Sequence, residues 1–187
     1  MARQGRADAP GILFFVLADV GSFLLIIAIF MAQRLGDAAA FGRQSSSLDV
    51  RIGTINTLVL LTSGWLVALA IGAMRDGRFA SARRRLNPAI ILGCCFILLK
   101  AYEYFIRFEE GTGLDGFFAF YVILTGLHLI HVVAGVCVLV LMRRATSPDL
   151  CGAERLAWSE SGALYWHMVD LIWVFLFPVL YLQPTSL

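Results

Sequence analysis

Apolar residues are concentrated in five long windows of the chain, separated by shorter polar segments. A helix rises about 1.5 Å per residue, so about 20 mostly apolar residues are needed to cross the hydrocarbon layer of a membrane. Each window meets this requirement. The windows cover residues 11–33, 53–74, 86–106, 117–142 and 163–183. The pattern predicts an all-α, polytopic membrane protein in which residues 1–187 form a single domain, a bundle of five transmembrane helices.

The first window has some features of a cleavable signal peptide. Arg3 and Arg6 precede it, and three alanines follow it at residues 38–40. However, its apolar stretch exceeds the roughly 7–15 residues of a signal-peptide core, and it contains Asp19. We therefore expect this window to be retained as the first transmembrane helix.

Composition agrees with a membrane location. Hydrophobic residues make up 59% of the chain and charged residues 15%, whereas an ordinary globular domain is about 25% charged. The net charge of +2 gives no indication of a nucleic-acid partner. No two of the four cysteines form a CxxC motif of the kind that binds zinc. Composition thus excludes soluble enzymes, zinc domains and DNA-binding modules. The cysteines are Cys94, Cys95, Cys137 and Cys151.

The arginines predict the orientation in the membrane. The amino-terminal tail and the connections after the second and fourth windows together carry ten arginines, whereas the connections on the other side carry four. Because arginine and lysine are enriched in cytoplasmic loops, we expect a cytoplasmic amino terminus and a periplasmic carboxyl terminus. The run of three arginines at residues 83–85 is mainly a topology anchor in this interpretation.

Seven ionisable side chains lie within the predicted spans, where each is energetically expensive and is therefore a candidate for a structural or functional role. They are Asp19, Lys100, Glu103, His128, His131, His167 and Asp170. All three histidines of the chain are among them.

Lys100 is the only lysine, and Glu103 follows it by three residues, so the two side chains share one face of a helix. Lys100 would lie about 9 Å from the outer end of its span. At that depth both side chains could reach the interface. An interfacial pair and a catalytic pair both remain open.

The other candidates lie deeper. His128 and His131 are three residues apart, and Asp19, His131, His167 and Asp170 fall at similar depths from the inner side, so the last four could form one inner polar tier. Such a tier could hold the bundle together by hydrogen bonds between helices, bind a metal ion, or relay protons. The chain lacks the paired Glu-x-x-His motifs of di-metal carboxylate bundles.

Aromatic residues of the last window are candidates for contact with lipid or with a partner subunit. Trp166, Trp173 and Tyr181 flank Pro178, where a kink is expected, and Tyr165 precedes Trp166.

Four segments, in order along the chain, resemble subunit III of the haem-copper oxidases. GALYWHMVDLIWVFLFP at residues 162–178 is similar to the most recognisable segment of that family, and TGLHLIHVVAG at 125–135 resembles its Thr-Gly-x-His-x-x-His-Val helix. NTLVLLTSGW at 56–65 and AYEY at 101–104 resemble two further helices. The chain resembles the short five-helix form, which lacks the first two helices of the larger members.

The resemblance implies an auxiliary subunit with no redox cofactor of its own. Its partners would be a haem-copper catalytic subunit, which carries haem and possibly copper, the other membrane subunits of that complex, and bound phospholipid. Its role would be to stabilise the catalytic subunit and support proton uptake in a terminal oxidase, with no catalytic or ligand-binding residue in this chain. With three histidines the chain could not supply the ligands of a haem-copper centre itself.

Two positions differ from the usual oxidase pattern. Asp19 stands where the family usually has Glu, and Lys100 stands where the oxidases commonly have Gln. From this resemblance we expect little effect of replacing Lys100 by Gln. Lys100, the five-helix form and the arginine run are similar to a branch associated with nitric oxide reductases, so both branches stay open. A stand-alone proton conductor and a membrane metalloenzyme are more remote alternatives. In either branch we expect a multi-pass protein of the inner (plasma) membrane of a bacterium.

Overall fold

A computed structural model describes residues 9–109, 116–146 and 153–182. Arg3, Arg6 and Cys151, which entered the sequence predictions, lie outside the described residues, as does residue 183 at the predicted end of the last window.

The described residues form six helices, five of which are long and apolar enough to cross a membrane. The prediction of five membrane-spanning helices is therefore confirmed. The helices are α1 (Ala9–Gly36), α2 (Ala38–Ser45), α3 (Val50–Arg75), α4 (Phe79–Glu109), α5 (Phe117–Ala145) and α6 (Ala153–Tyr181).

The short helix α2 was not predicted, because it has no apolar window of its own. Local capping explains it. The carboxylate of Asp37 accepts a hydrogen bond from the Ala40 amide at 3.1 Å and begins α2, and Asp49 does the same for Arg51 at the start of α3. The Ser45 hydroxyl donates to the Leu180 carbonyl at 2.7 Å, which ties α2 to the end of α6.

Helices α4 and α6 begin several residues before the apolar windows predicted for them. In α4 the arginine run lies on the first turns of the helix rather than in a loop, since arginine is a good helix former. Only residues 76–78 separate α3 from α4, and Gly77 takes the left-handed conformation that this tight turn requires (φ 72°). The two helices therefore form an antiparallel hairpin.

Side-chain hydrogen bonds fix the register of this hairpin. The Ser63 hydroxyl of α3 donates to the Ala89 carbonyl of α4 at 2.9 Å. Closer to the turn, the Arg85 guanidinium donates to the Leu69 carbonyl at 2.8 Å. Helices α5 and α6 pack on the hairpin, whereas α1 touches only α2, α5 and α6 extensively and leaves most of its apolar side chains exposed.

Trp166 lies in the interior of this bundle. It is fully buried against α4 and α5, at positions where Gly93 and Gly135 leave room for the indole. Trp173 is also fully buried, and Tyr165 is nearly so. The prediction that Trp166 and Trp173 contact lipid or another subunit was wrong, because small residues on neighbouring helices allow these large side chains to turn inward.

Replacing Gly135 by Ala tests this packing. A Cβ there would lie 2.5 Å from Cε3 of Trp166, and overpacking of this kind costs roughly 1–3 kcal/mol. We expect a lower midpoint of thermal unfolding in detergent.

Gly72→Ala is the matched control, since nothing lies within 4 Å of a Cβ at Gly72. We expect this change to leave the midpoint unchanged or to raise it, because Ala favours a helix over Gly. Equal midpoints for the two variants would contradict the packing described for Trp166.

Candidate functional site

Lys100 is the centre of a polar cluster near the carboxyl ends of α4 and α6 and the amino end of α5. Its ammonium group donates to Glu103 Oε2, Tyr121 Oη and Tyr181 Oη, each at 3.0 Å. The Tyr181 hydroxyl in turn donates to the other oxygen of Glu103 at 2.6 Å. The ammonium thus uses all three of its donors, and one cation joins three helices.

Aromatic rings enclose the same ammonium group. Their centroids lie 4.8–5.6 Å from Nζ, a distance at which ring faces attract a cation. The rings belong to Tyr104, Tyr121, Trp173 and Tyr181. Of the two interpretations that the sequence left open, the interfacial pair is wrong, because Lys100 and Glu103 are both buried. Two tyrosines from other helices satisfy their charges inside the protein.

Asp19 and His131 form a second pair, between α1 and α5. His131 Nε2 lies 3.0 Å from Asp19 Oδ2. The other ring nitrogen, Nδ1, lies 2.8 Å from the Leu127 carbonyl and donates to it, since a carbonyl oxygen only accepts. A proton on Nε2 would make the contact an ion pair. The pair is thus a polar contact between α1 and α5, and it lies beside the edge-to-face contact of Phe23 with the His131 ring.

His167 and Asp170 form a third pair, at the seam between α6 and α3. His167 Nδ1 lies 3.9 Å from Asp170 Oδ2. The carboxylate lies directly over Gly64 of α3, where a Cβ atom would overlap Oδ2. Their positions along the spans predicted that Asp19, His131, His167 and Asp170 form one inner tier. The structure instead shows two separate pairs, because His131 faces α1 and His167 faces α3.

His128 is fully buried between aromatic rings. Its imidazole stacks on Trp173, with centroids 5.2 Å apart, and meets Phe96 edge to face at 5.6 Å. Neither ring nitrogen has a hydrogen-bond partner among the described residues. His128 and His131 therefore do not converge, since one faces α4 and α6 and the other faces α1.

Sequence reasoning did not select Asn56, Tyr121 or Thr57. Asn56 is fully buried, and its amide has no hydrogen-bond partner in the described part of the chain. Thr57 accepts a hydrogen bond from Trp173 Nε1 at 3.0 Å. In the sequence, Asn56 could have been selected because its polar amide stands inside an apolar window. Nothing in the sequence links Tyr121 to Lys100.

No group of three or more His, Cys, Asp or Glu side chains is placed to hold a metal ion within residues 9–109, 116–146 and 153–182. The polar residues form pairs and a hydrogen-bonded cluster between helices. Chemically, this arrangement can fix helices against one another.

Replacing Lys100 by Gln should strongly destabilise the protein, contrary to the expectation from sequence. The change leaves Glu103 buried without its cation, and breaking a buried ion pair costs roughly 3–5 kcal/mol. The double variant Lys100→Gln, Glu103→Gln removes both charges, so we expect it to recover much of that loss.

Thermal unfolding in detergent, together with the yield of folded protein, measures both variants. A native-like midpoint for Lys100→Gln, or a double variant no more stable than the single one, would show that the pair does not act as a buried ion pair.

Comparisons with known proteins show which family the sequence resembles. A family model described as cytochrome c oxidase subunit III matches residues 6–184. A cytochrome c oxidase subunit 3 from Alkalihalophilus pseudofirmus is 30% identical over 98% of this chain and 90% of its own length. Proteins of the same name from Synechocystis and Rhipicephalus sanguineus are 26% and 28% identical, over 92% and 91% of this chain and 74% and 68% of their own lengths.

The match covers nearly the whole chain, including the segments that carry all three polar pairs and His128. The chain belongs to the cytochrome c oxidase subunit III family.

Proposed function

We propose that this protein is a non-catalytic subunit of a respiratory haem-copper terminal oxidase, in which it stabilises the catalytic subunit. The family match over residues 6–184 is the observation that carries the proposal. Haem and copper would belong to the catalytic subunit. The Lys100 cluster and the hydrogen bonds of Ser45 and Ser63 to backbone carbonyls of other helices support a structural role.

Asp19 and His131 are the residues we propose to matter most for this role. Helix α1 exposes a long apolar surface, and the pair fixes that helix to α5 at one polar contact. The side chains of Asp19 and His131 are 18% and 15% exposed, so the pair is open to exchange a proton at the surface of the bundle. We propose that it thereby supports proton uptake by the catalytic subunit.

The proposed setting is the plasma membrane of a bacterium. The amino terminus would be cytoplasmic, since the arginine-rich connections then face the cytoplasm. The carboxyl terminus would be periplasmic. Residues 1–187 would form one domain, with the other membrane subunits and phospholipids around it.

Gentle solubilisation of the tagged chain from native membranes tests the proposal. We expect a haem-bearing subunit to copurify, to show a haem absorption spectrum and to reduce oxygen. Nitric oxide reduction by the copurified subunit would instead assign the chain to a nitric oxide reductase. A chain that purifies without haem would contradict the proposal.

Asp19→Asn and His131→Ala should shorten the lifetime of the complex more than they change its initial turnover. Each change removes the contact between Asp19 and His131 that joins α1 to α5, whereas the reacting groups would lie in another subunit. The measurements are the ratio of haem to tagged chain after purification and the decay of oxygen consumption during turnover.

Ser22→Ala is the control on the same helix, because the Ser22 hydroxyl bonds only to the Ala18 carbonyl of its own helix and is exposed. We expect the control to keep the native ratio and decay. Native values in Asp19→Asn and His131→Ala as well would count against a role for the pair.

A further inference from the structure

Two fully buried polar side chains, Asn56 on α3 and His128 on α5, lie outside the polar pairs and the Lys100 cluster. Among the residues that the structure describes, neither polar atom of the Asn56 amide and neither nitrogen of the His128 ring has a hydrogen-bond partner. Buried polar groups of folded proteins nearly always have a partner, either in the protein or in ordered water. Leaving them unpaired inside a membrane-spanning bundle is costly. These four atoms therefore indicate a bound polar ligand.

The register of the α3–α4 hairpin places Asn56 opposite Phe96. Asn56 precedes Ser63 by seven residues, so the two side chains share one face of α3. Ser63 donates to the Ala89 carbonyl of α4. Because the helices are antiparallel, seven residues back along α3 correspond to seven residues forward along α4, from Ala89 to Phe96. The Asn56 amide therefore faces the interior at the level of the Phe96 ring.

The His128 imidazole lies beside the same ring. It meets Phe96 edge to face at 5.6 Å and stacks on the Trp173 indole at 5.2 Å. Trp173 also contacts α3, because its Nε1 donates to Thr57, the residue after Asn56, at 3.0 Å. Two aromatic rings thus join the surroundings of the two unpartnered side chains. We call this place the amide–imidazole site; it consists of Asn56, Phe96, His128 and Trp173.

We infer that the amide–imidazole site binds internal water. A buried water molecule makes about two to four hydrogen bonds to polar groups that would otherwise be unsatisfied. The Asn56 amide supplies N–H donors and a carbonyl acceptor, and the neutral imidazole of His128 supplies one donor and one acceptor. The Trp173 indole cannot serve in their place, since its only N–H group already donates to Thr57. Water fits this set because it donates and accepts at once.

The charges around the site favour a neutral ligand over an ion. The Lys100 ammonium lies 5.2 Å from the centroid of the Trp173 ring, so it would repel a metal cation. The charge of Lys100 is already balanced by Glu103, and its donors are used by Glu103 and two tyrosines. A bound anion would therefore be a buried charge without a counter-ion.

Radiolytic labelling of the full chain in lipid nanodiscs tests the water site, and it does not depend on the proposed function. A short X-ray pulse makes hydroxyl radicals from water in place, and mass spectrometry then measures oxidation of each buried side chain. Phe96 borders the site, whereas Phe30, also fully buried, is enclosed by Phe41, Phe117 and Phe120. We expect Phe96 to be oxidised about threefold more than Phe30 or better, because internal water lies beside it. Equal oxidation of the two rings would overturn the inference.

The double variant Asn56→Leu, His128→Phe tests which side chains hold the water. Both changes remove the polar atoms and keep side chains of similar size. We expect oxidation of Phe96 to fall to the level of Phe30, while Phe30 keeps its native value and thereby reports a folded bundle. If the double variant does not fold, Asn56→Leu alone should still lower the oxidation of Phe96.

Thr54→Val is the matched control on α3, because the Thr54 hydroxyl is exposed and bonds to the Val50 carbonyl of its own helix. We expect this control to keep the native oxidation of Phe96. Native oxidation of Phe96 in a folded Asn56 and His128 variant would show that these side chains do not bind the water, and the inference would be wrong.

Discussion

The buried ammonium group of Lys100 is the interaction on which the packing of α4, α5 and α6 at one end of the bundle depends. A charge in a membrane-spanning helix has no bulk water to solvate it, so it must find partners within the protein. Lys100 finds a carboxylate on its own helix and hydroxyl groups on α5 and α6. Because these partners come from three helices, the charge can be buried only when all three are in place. The cost of an unsatisfied charge thus enforces one arrangement of the helices.

The same constraint separates what the sequence could predict from what it could not. The five spans follow from local apolar length, and each was found. The pairing of Lys100 with Glu103 is also local, since the residues are one helical turn apart. The burial of that pair is not local, because it depends on Tyr121 and Tyr181, which are distant in sequence and reach Nζ only after the helices have packed. The position of Lys100 near the end of its span indicated that its side chain could reach the interface. Hydrogen bonds from other helices bury it instead.

Trp166 and the four deep ionisable residues show the same limit. Trp166 resembled an interfacial anchor by composition, but Gly93 and Gly135 on two other helices make an interior site for it. Likewise, equal depth along the span suggested a single tier for Asp19, His131, His167 and Asp170. Depth does not give the direction in which a side chain points around the helix, and this direction divides the four residues into two pairs.

The pairs differ in how completely the chain satisfies them. The Lys100 cluster is closed, with every ammonium donor used. His131 donates one hydrogen bond to its own helix and faces Asp19, at a place partly open to the surroundings. Asp170 keeps an unpaired oxygen beside an exposed imidazole. A closed cluster such as that of Lys100 stabilises the packing of the helices that supply it. The buried oxygen of Asp170 lacks a donor and therefore lowers the stability of the packing around it. The contacts between α4, α5 and α6 around Lys100 are thus the polar contacts that specify the bundle most strongly.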